Sequence, residues 1–281
     1  MPDGNRISAA GACAVTSQAM SDGQTEQENL ETLRRLLEAL DRWLPLTQQP
    51  PAPVGSGSQF ASDDTLLNPV QISHAAWSAI LLAVDHLHNL RRSVEGCPSC
   101  QPGATFLNGS NYSLLRGALE NASKAVWLLA PEDQKTRILR RLQLEVKHIQ
   151  DQEKFQTLVK IPPPSREKAE RLAEIKRLAA AAGLPGDGPI GNPSPTRMVR
   201  AAGEVIFGDA DLGQILWSLC SGAAHGDPWA TLSLAEKTEV ARKANVATIH
   251  LSPSIPNLLA LTAAAVEVIQ RAFILYAKRN N

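Results

Sequence analysis

The feature that most constrains this chain is the periodicity of residues 110–130, SNYSLLRGALENASKAVWLLA. At about 100° per residue, Leu115, Ala118, Leu119, Ala122, Val126 and Leu129 form one apolar face of a helix. Arg116, Glu120 and Trp127 fall together on a neighbouring face. The same spacing recurs along the chain. Leu33, Leu36, Leu37, Leu40 and Leu44 predict a helix from Asn29 that Pro45 ends. Ile138, Leu142, Val146 and Ile149 predict the buried stripe of another, reaching Lys160. Further helices are expected near residues 69–92, 166–182, 196–207, 210–224 and 255–278. Alanine and leucine fill these segments, and aromatic residues make up only 4% of the chain, a balance that favours helix over strand.

Turn chemistry supplies the boundaries. Residues 48–58, QQPPAPVGSGS, read as a flexible linker. Ser110 or Asn111 suits a helix cap, and Pro131 with Glu132 and Asp133 suits the first turn of the next helix. Gly183 suits a helix C-terminus, and the segment NVATIHLS reads as a strand or an extended loop. The expectation is an all-α bundle of about seven to nine helices with a disordered N-terminal tail. Residues 1–28 form the tail, 29–61 an N-terminal helix plus linker, and 62–281 the helical-bundle domain. Met20 fits as an alternative start, because the chain after it leads directly into the first helical pattern.

With 281 residues, 43% of them apolar, the chain can bury a sizeable core. Its 28 basic and 28 acidic residues cancel, so no global field draws it to nucleic acid or to an anionic membrane. The start carries no apolar run of signal-peptide length, and four scattered cysteines make no disulfide framework. Residues 258–276 are apolar but interrupted by Glu267, Gln270 and Arg271. An arginine at mid-bilayer costs roughly 2.5–3.5 kcal/mol, so a core helix is expected rather than a membrane span. A cytoplasmic location follows as the expectation.

Several chemistries can be weighed directly. Arg116 and Glu120, one turn apart beside Trp127, could floor a pocket for a phosphate or carboxylate, or form a plain structural ion pair. In ILWSLCSGAAHGDPW, Trp217, Ser221 and His225 are successive i, i+4 neighbours. Gly226 ends that helix and leaves His225 on its last turn, where the carbonyl end of the dipole favours imidazolium. That histidine is either an anion or proton contact, or simply a C-terminal cap. Cys97 and Cys100 form a C-x-x-C pair without a second half-site. His86 and His88 lie upstream but point to different helix faces, so zinc, redox and plain loop readings stay open and no cofactor or metal is expected. The run Arg137, Arg140, Arg141, Lys147 and His148 alternates with acids and reads as the solvated face of a long helix, or else as a phosphate contact. Phosphate-loop, dinucleotide, zincin and serine-elbow motifs are absent from the sequence.

The pairing of Arg116-xxx-Glu120 with a later Ser221-xxx-His225-Gly226-x-Pro228 resembles uncharacterised bacterial helical-bundle families akin to HEPN domains. The resemblance spans roughly residues 70–278 in helical order. It implies an α-bundle that binds RNA or a protein partner. Active HEPN ribonucleases carry an arginine four to six residues before a helix-terminal histidine, whereas the window before His225 reads SLCSGAA. The resemblance therefore implies a non-enzymatic binding or regulatory module using Arg116, Glu120, Trp127, Trp217, Ser221 and His225. The alternatives are a metal-independent ribonuclease of the toxin or defence kind, with His225 and Arg116 catalytic, and a structural helical homo-oligomer.

Overall fold

The computed structural model describes residues 26–97, 99, 101–102, 104, 106–160, 166–185 and 190–281. The expected tail falls outside the described residues up to residue 25, as does the alternative start at Met20. Among the described residues the chain is a helical bundle, as its periodicity predicts. In order the elements are α1 (Glu26–Leu37), α2 (Leu40–Thr47), α3 (Gln59–Leu67), α4 (Ile72–Glu95), the short strands β1 (Gly96–Cys97) and β2 (Gln101–Pro102), and α5 (Ser110–Leu129). There follow α6 (Gln134–Val159), α7 (Lys168–Ala181), α8 (Pro195–Phe207), α9 (Ala210–His225), α10 (Pro228–Leu234), β3 (Ala235–Lys243), β4 (Val246–Pro253) and α11 (Ile255–Asn280).

Helix α5 is the axis of the bundle. Its predicted apolar face is buried throughout, and Ala125, Trp127 and Leu128 are buried as well. Helices α4, α8, α9 and α11 surround it. Along α11, the helix whose length and composition would suit a membrane, most apolar residues are covered by α1, α4 and α5. The predicted stripe of α6, Ile138, Leu142, Val146 and Ile149, is buried too.

Pro45 does not end the first helix. The break falls earlier, in a turn at Glu38 and Ala39, and α2 then runs through Pro45 to Thr47. The break swings Leu40 and Trp43 into the core, where Trp43 stacks on Phe273 at 5.7 Å. A proline in the second turn of so short a helix costs only its bond to the Asp41 carbonyl. The segment read as a linker is tied to the C-terminus, because the Gly55 amide donates to Asn280 Oδ1 at 3.2 Å. A β-carbon at Gly55 would collide with the Asn280 carbonyl oxygen. Ser58 then caps α3 through the Ala61 amide, and Phe60 and Leu67 carry that helix into the common core.

Helices α8 and α9 approach closely because glycines meet at their crossing. A β-carbon on Gly203 would lie 2.8 Å from Gly213 Cα, and one on Gly213 would collide with the Val199 carbonyl. Gly226, at φ 75°, closes α9 with Asp227 N–H donating to the Gly222 carbonyl at 2.9 Å. NVATIHLS is a strand: it supplies most of β4, which pairs antiparallel with β3 around a bulge at Glu239–Ala241. That hairpin is largely exposed along both strands.

Of the basic run on α6, His148 is exposed as expected of a solvated face, but Arg137 and Arg141 are not on one. Arg137 and Arg141 are buried at 2% and 7% exposure. Arg137 grips Asp63 of α3 through two bonds of 2.7 and 3.0 Å and donates to the Glu132 carbonyl at 2.8 Å. Arg141 donates to the Gln71 carbonyl and to Glu145. Arg137 turns inward because Asp63 and free carbonyls outside its helix meet it there, and Arg141 because the Gln71 carbonyl does. Arg279 of α11 completes this end of the bundle. Fully buried, it donates to the carbonyls of Leu129 and Pro131 at 3.0 Å each and to Glu132 Oε2 at 2.9 Å. It thereby caps the C-terminal carbonyls of α5.

Candidate functional site

Arg116 and Glu120 sit one turn apart on α5, half-buried, with the ion pair at 3.7 Å. Trp217 of α9 joins them. Its indole N–H donates to Glu120 Oε2 at 3.2 Å, and the Arg116 guanidinium lies 6.0 Å from its ring centroid. The two helices that the sequence singled out are therefore joined through one carboxylate. The Gly203–Gly213 crossing fixes α9 against α8, and both pack on α5, which sets the position of Trp217. Beneath the indole is a crevice of about 10 Å³, room for one water, walled by Leu119, Val199, Phe207, Leu216 and Val268.

The remaining candidates separate from this cluster. Ser221, one turn beyond Trp217, is half-buried on α9. His225 is exposed at the helix end, eight residues and therefore about 12 Å along the axis from Trp217. Trp127 is 1% exposed, and Arg140 of α6 covers its ring at 5.1 Å. It is a core residue near the far end of α5 rather than a wall of the Trp217 cluster. Cys97 and Cys100 lie outside the residues whose side chains are described. Among the described residues, no group of three or more His, Cys, Asp or Glu is placed to hold a metal ion. Cys220 is buried and its thiol is pushed up to about 12 by desolvation, so it packs as an apolar residue and is not poised as a nucleophile.

Sequence reasoning missed Lys124 on this surface and the close approach of His86 to α5. Lys124 extends the Arg116–Glu120 row by another turn, and burial lowers its pKa, opposed by Glu120 and reinforced by Lys147. The four-residue spacing was the available signal. His86 of α4 lies against Gly117, where a β-carbon would be 2.5 Å from its Nε2. That close approach is a tertiary event with no local signature.

The arrangement has the chemistry of a recognition surface. Glu120 accepts from the Trp217 indole and pairs by charge with Arg116, and the Arg116 Nε–H is buried with no hydrogen-bond partner among the described residues. A guanidinium left under-satisfied beside an indole can take a carboxylate or phosphate oxygen without dismantling its ion pair. Comparison with known protein families, characterised proteins and solved structures finds no match for this chain.

Proposed function

We propose that this chain is a non-enzymatic, HEPN-like helical module of the cytoplasm that binds or regulates through the Arg116–Glu120–Trp217 cluster. The observation that carries the reading is the 3.2 Å bond from the Trp217 indole to Glu120, which links the two polar rows across separate helices. A binding role is further supported by the partial exposure of the Arg116 side chain, whose contact with Glu120 at 3.7 Å is longer than a hydrogen bond. The position of His225 argues against catalysis by an Arg–His pair. It stands exposed two turns beyond Trp217, while Arg116 is engaged by Glu120.

Two measurements test the proposal. Purified protein incubated with a mixed labelled RNA pool, with and without chelator, is expected to leave the RNA intact. Cleavage that disappears in both His225→Ala and Arg116→Ala would replace this reading with the ribonuclease one. Thermal-shift screening of small carboxylates, phosphates and RNA oligomers is expected to find a stabilising ligand whose effect vanishes in Arg116→Gln. Stabilisation that survives this change would move the site elsewhere.

One observation favours a structural oligomer as the second reading. An isolated two-stranded hairpin is marginal in water, yet β3–β4 exposes Val240, Val246 and Ile249. Sedimentation at several concentrations decides it, since assembly through the hairpin would vary with concentration and be lost in Ile249→Lys.

A further inference from the structure

The two strands of the β3–β4 hairpin present outer edges that differ in kind. β3 carries Glu236, Lys237, Glu239, Arg242 and Lys243, and its register slips at the Glu239–Ala241 bulge. Charges and bulges are what keep a sheet edge from pairing with another chain. β4, VATIHLSP, has neither: it holds no Asp, Glu, Lys or Arg, and the extra residue of the bulge lies on β3. Val246, Thr248, Ile249 and His250 are all exposed, Val246 at 70% and Ile249 at 42%.

The turn decides which backbone groups of β4 face outward. Only Ala244 and Asn245 join the strands, with Ala244 at φ 52°, so Lys243 and Val246 close the hairpin as a hydrogen-bonded pair. Alternation along β4 then turns Thr248 and His250 towards β3 and leaves the N–H and C=O groups of Ala247, Ile249 and Leu251 on the outer edge. The Leu251 carbonyl agrees with this parity, because it accepts from Asn108 Nδ2, outside the hairpin, at 3.0 Å. Among the described residues the outward groups of Ala247 and Ile249 have no such partner.

We propose that a second copy of this chain pairs on this edge, β4 antiparallel to β4, so that two hairpins make one four-stranded sheet about a two-fold axis. The inference rests on the oligomer reading of the hairpin and names its edge and register. Asn108 already holds the Leu251 carbonyl, which works against any register that pairs Leu251 with Ala247 of the second copy. The register centred on Thr248 uses only free groups. In it Ala247 exchanges both backbone bonds with Ile249 of the second copy, and Thr248 faces Thr248 across the axis. Val246 then lies beside His250 of the second copy, which covers the most exposed apolar residue of the strand. A foreign peptide would take its specificity from side-chain pockets beside the edge, and the exposed faces of β4 offer none. A copy of the same uncharged strand brings no charge to bury. Two-fold pairing also leaves only the guarded β3 edges outside, so growth stops at two.

The test is sedimentation of the full chain over a roughly hundredfold concentration range, joined to disulfide trapping. Monomer and dimer, with nothing larger, are expected. Ala247→Pro removes an outward N–H and no bond within the hairpin, so it is expected to weaken the dimer about tenfold or more while the melting temperature of the bundle stays unchanged. Under oxidised glutathione, Thr248→Cys is expected to form a disulfide between the two copies of position 248, identified by peptide mass. Val246→Cys is more exposed, but in this register it lies about 13 Å from its own counterpart and is expected to remain uncrosslinked. The natural chain treated alike gives the background from its own four cysteines. A concentration-dependent dimer that Ala247→Pro leaves intact and Thr248→Cys does not trap overturns this interface while the oligomer reading stands. Cross-linking at Val246→Cys as strong as at Thr248→Cys overturns the register. A monomer at every concentration overturns both readings and leaves the edge to an extended peptide. Arg116→Gln should leave the dimer unchanged, so the Trp217 cluster is read separately.

Discussion

The two ends of α5 use the same residue types to opposite effect. At its C-terminal end, Arg279 and Arg137 are buried and the nitrogens of both guanidiniums are hydrogen-bonded, to carbonyls of residues 129–132, to Asp63, to Glu132 and to Gln59. Nearer its N-terminal end, Arg116 meets Glu120 at 3.7 Å and leaves its buried Nε unpartnered. Degree of satisfaction thus separates Arg137 and Arg279, whose guanidiniums are saturated, from Arg116, which has a donor unused. A saturated buried network rigidifies a bundle end, whereas a partly satisfied one retains donors for a ligand.

The largest expected effect lies at the saturated end. Asp63→Ala strands the Arg137 guanidinium in the core, and removing one partner of a buried ion pair costs about 3–5 kcal/mol. Urea unfolding should show that loss. The double change Asp63→Ala with Arg137→Met should recover much of it, because no uncompensated charge then remains buried. A loss below about 1 kcal/mol in the single variant would mean that this end is less closed than the bond lengths imply.

Next in size is the helix crossing that positions Trp217. Gly213→Ala drives a β-carbon into the Val199 carbonyl, and since backbone cannot move aside as a side-chain end can, a cost of about 1–3 kcal/mol is expected. Because α9 must shift, the Trp217 indole resonance should move as well. Stability loss with no change at Trp217 would uncouple the crossing from the site.

Acid tests the saturated end more gently. Glu132 is exposed, but hydrogen bonds from Arg279 and then Lys278 hold its carboxyl at about 2, below the ordinary value near 4.3. A depressed folded-state pKa contributes stability that is present above the unfolded value and is lost as pH falls from about 4.3 towards 2. Denaturation curves for the natural chain and Glu132→Gln should therefore differ at pH 6 and converge only as the pH falls to about 2. A constant gap across that window would assign the effect of the substitution to something other than ionisation.

The same contrast explains what could be read in advance. The faces of α5 and α6, and the ends of α7 and α9 at Gly183 and Gly226, follow from spacing and local backbone preference, so they were legible. The Arg116–Glu120 pair and the Trp217 row were legible for the same reason, though not the bond that joins them. What escaped was set by distant partners. Arg137 alternates with acids as a solvated residue would, and only Asp63, seventy-four positions earlier, turns it inward. Trp127 shares a helical face with Arg116 and Glu120, yet Arg140 from the next helix covers it. The break at Glu38–Ala39 likewise answers to Phe273, which waits on α11 for Trp43.

The smallest expected change in stability belongs to the cluster itself, and it is the sharpest form of the comparison. Glu120→Gln removes a half-exposed ion pair with Arg116 but keeps an amide oxygen that can still accept from Trp217. Half-exposed pairs of this kind contribute about 0.2–1 kcal/mol, so the fold should hardly register the loss. If Arg116, Glu120 and Trp217 serve anion binding, ligand affinity should rise by more than this small stability change accounts for, because Arg116 loses its internal competitor. Trp217→Phe should cost the fold as little, since the ring stays and only the indole donor goes. A variant that loses several kcal/mol of stability would instead place the cluster with Arg137 and Arg279, as internal bracing between α5 and α9.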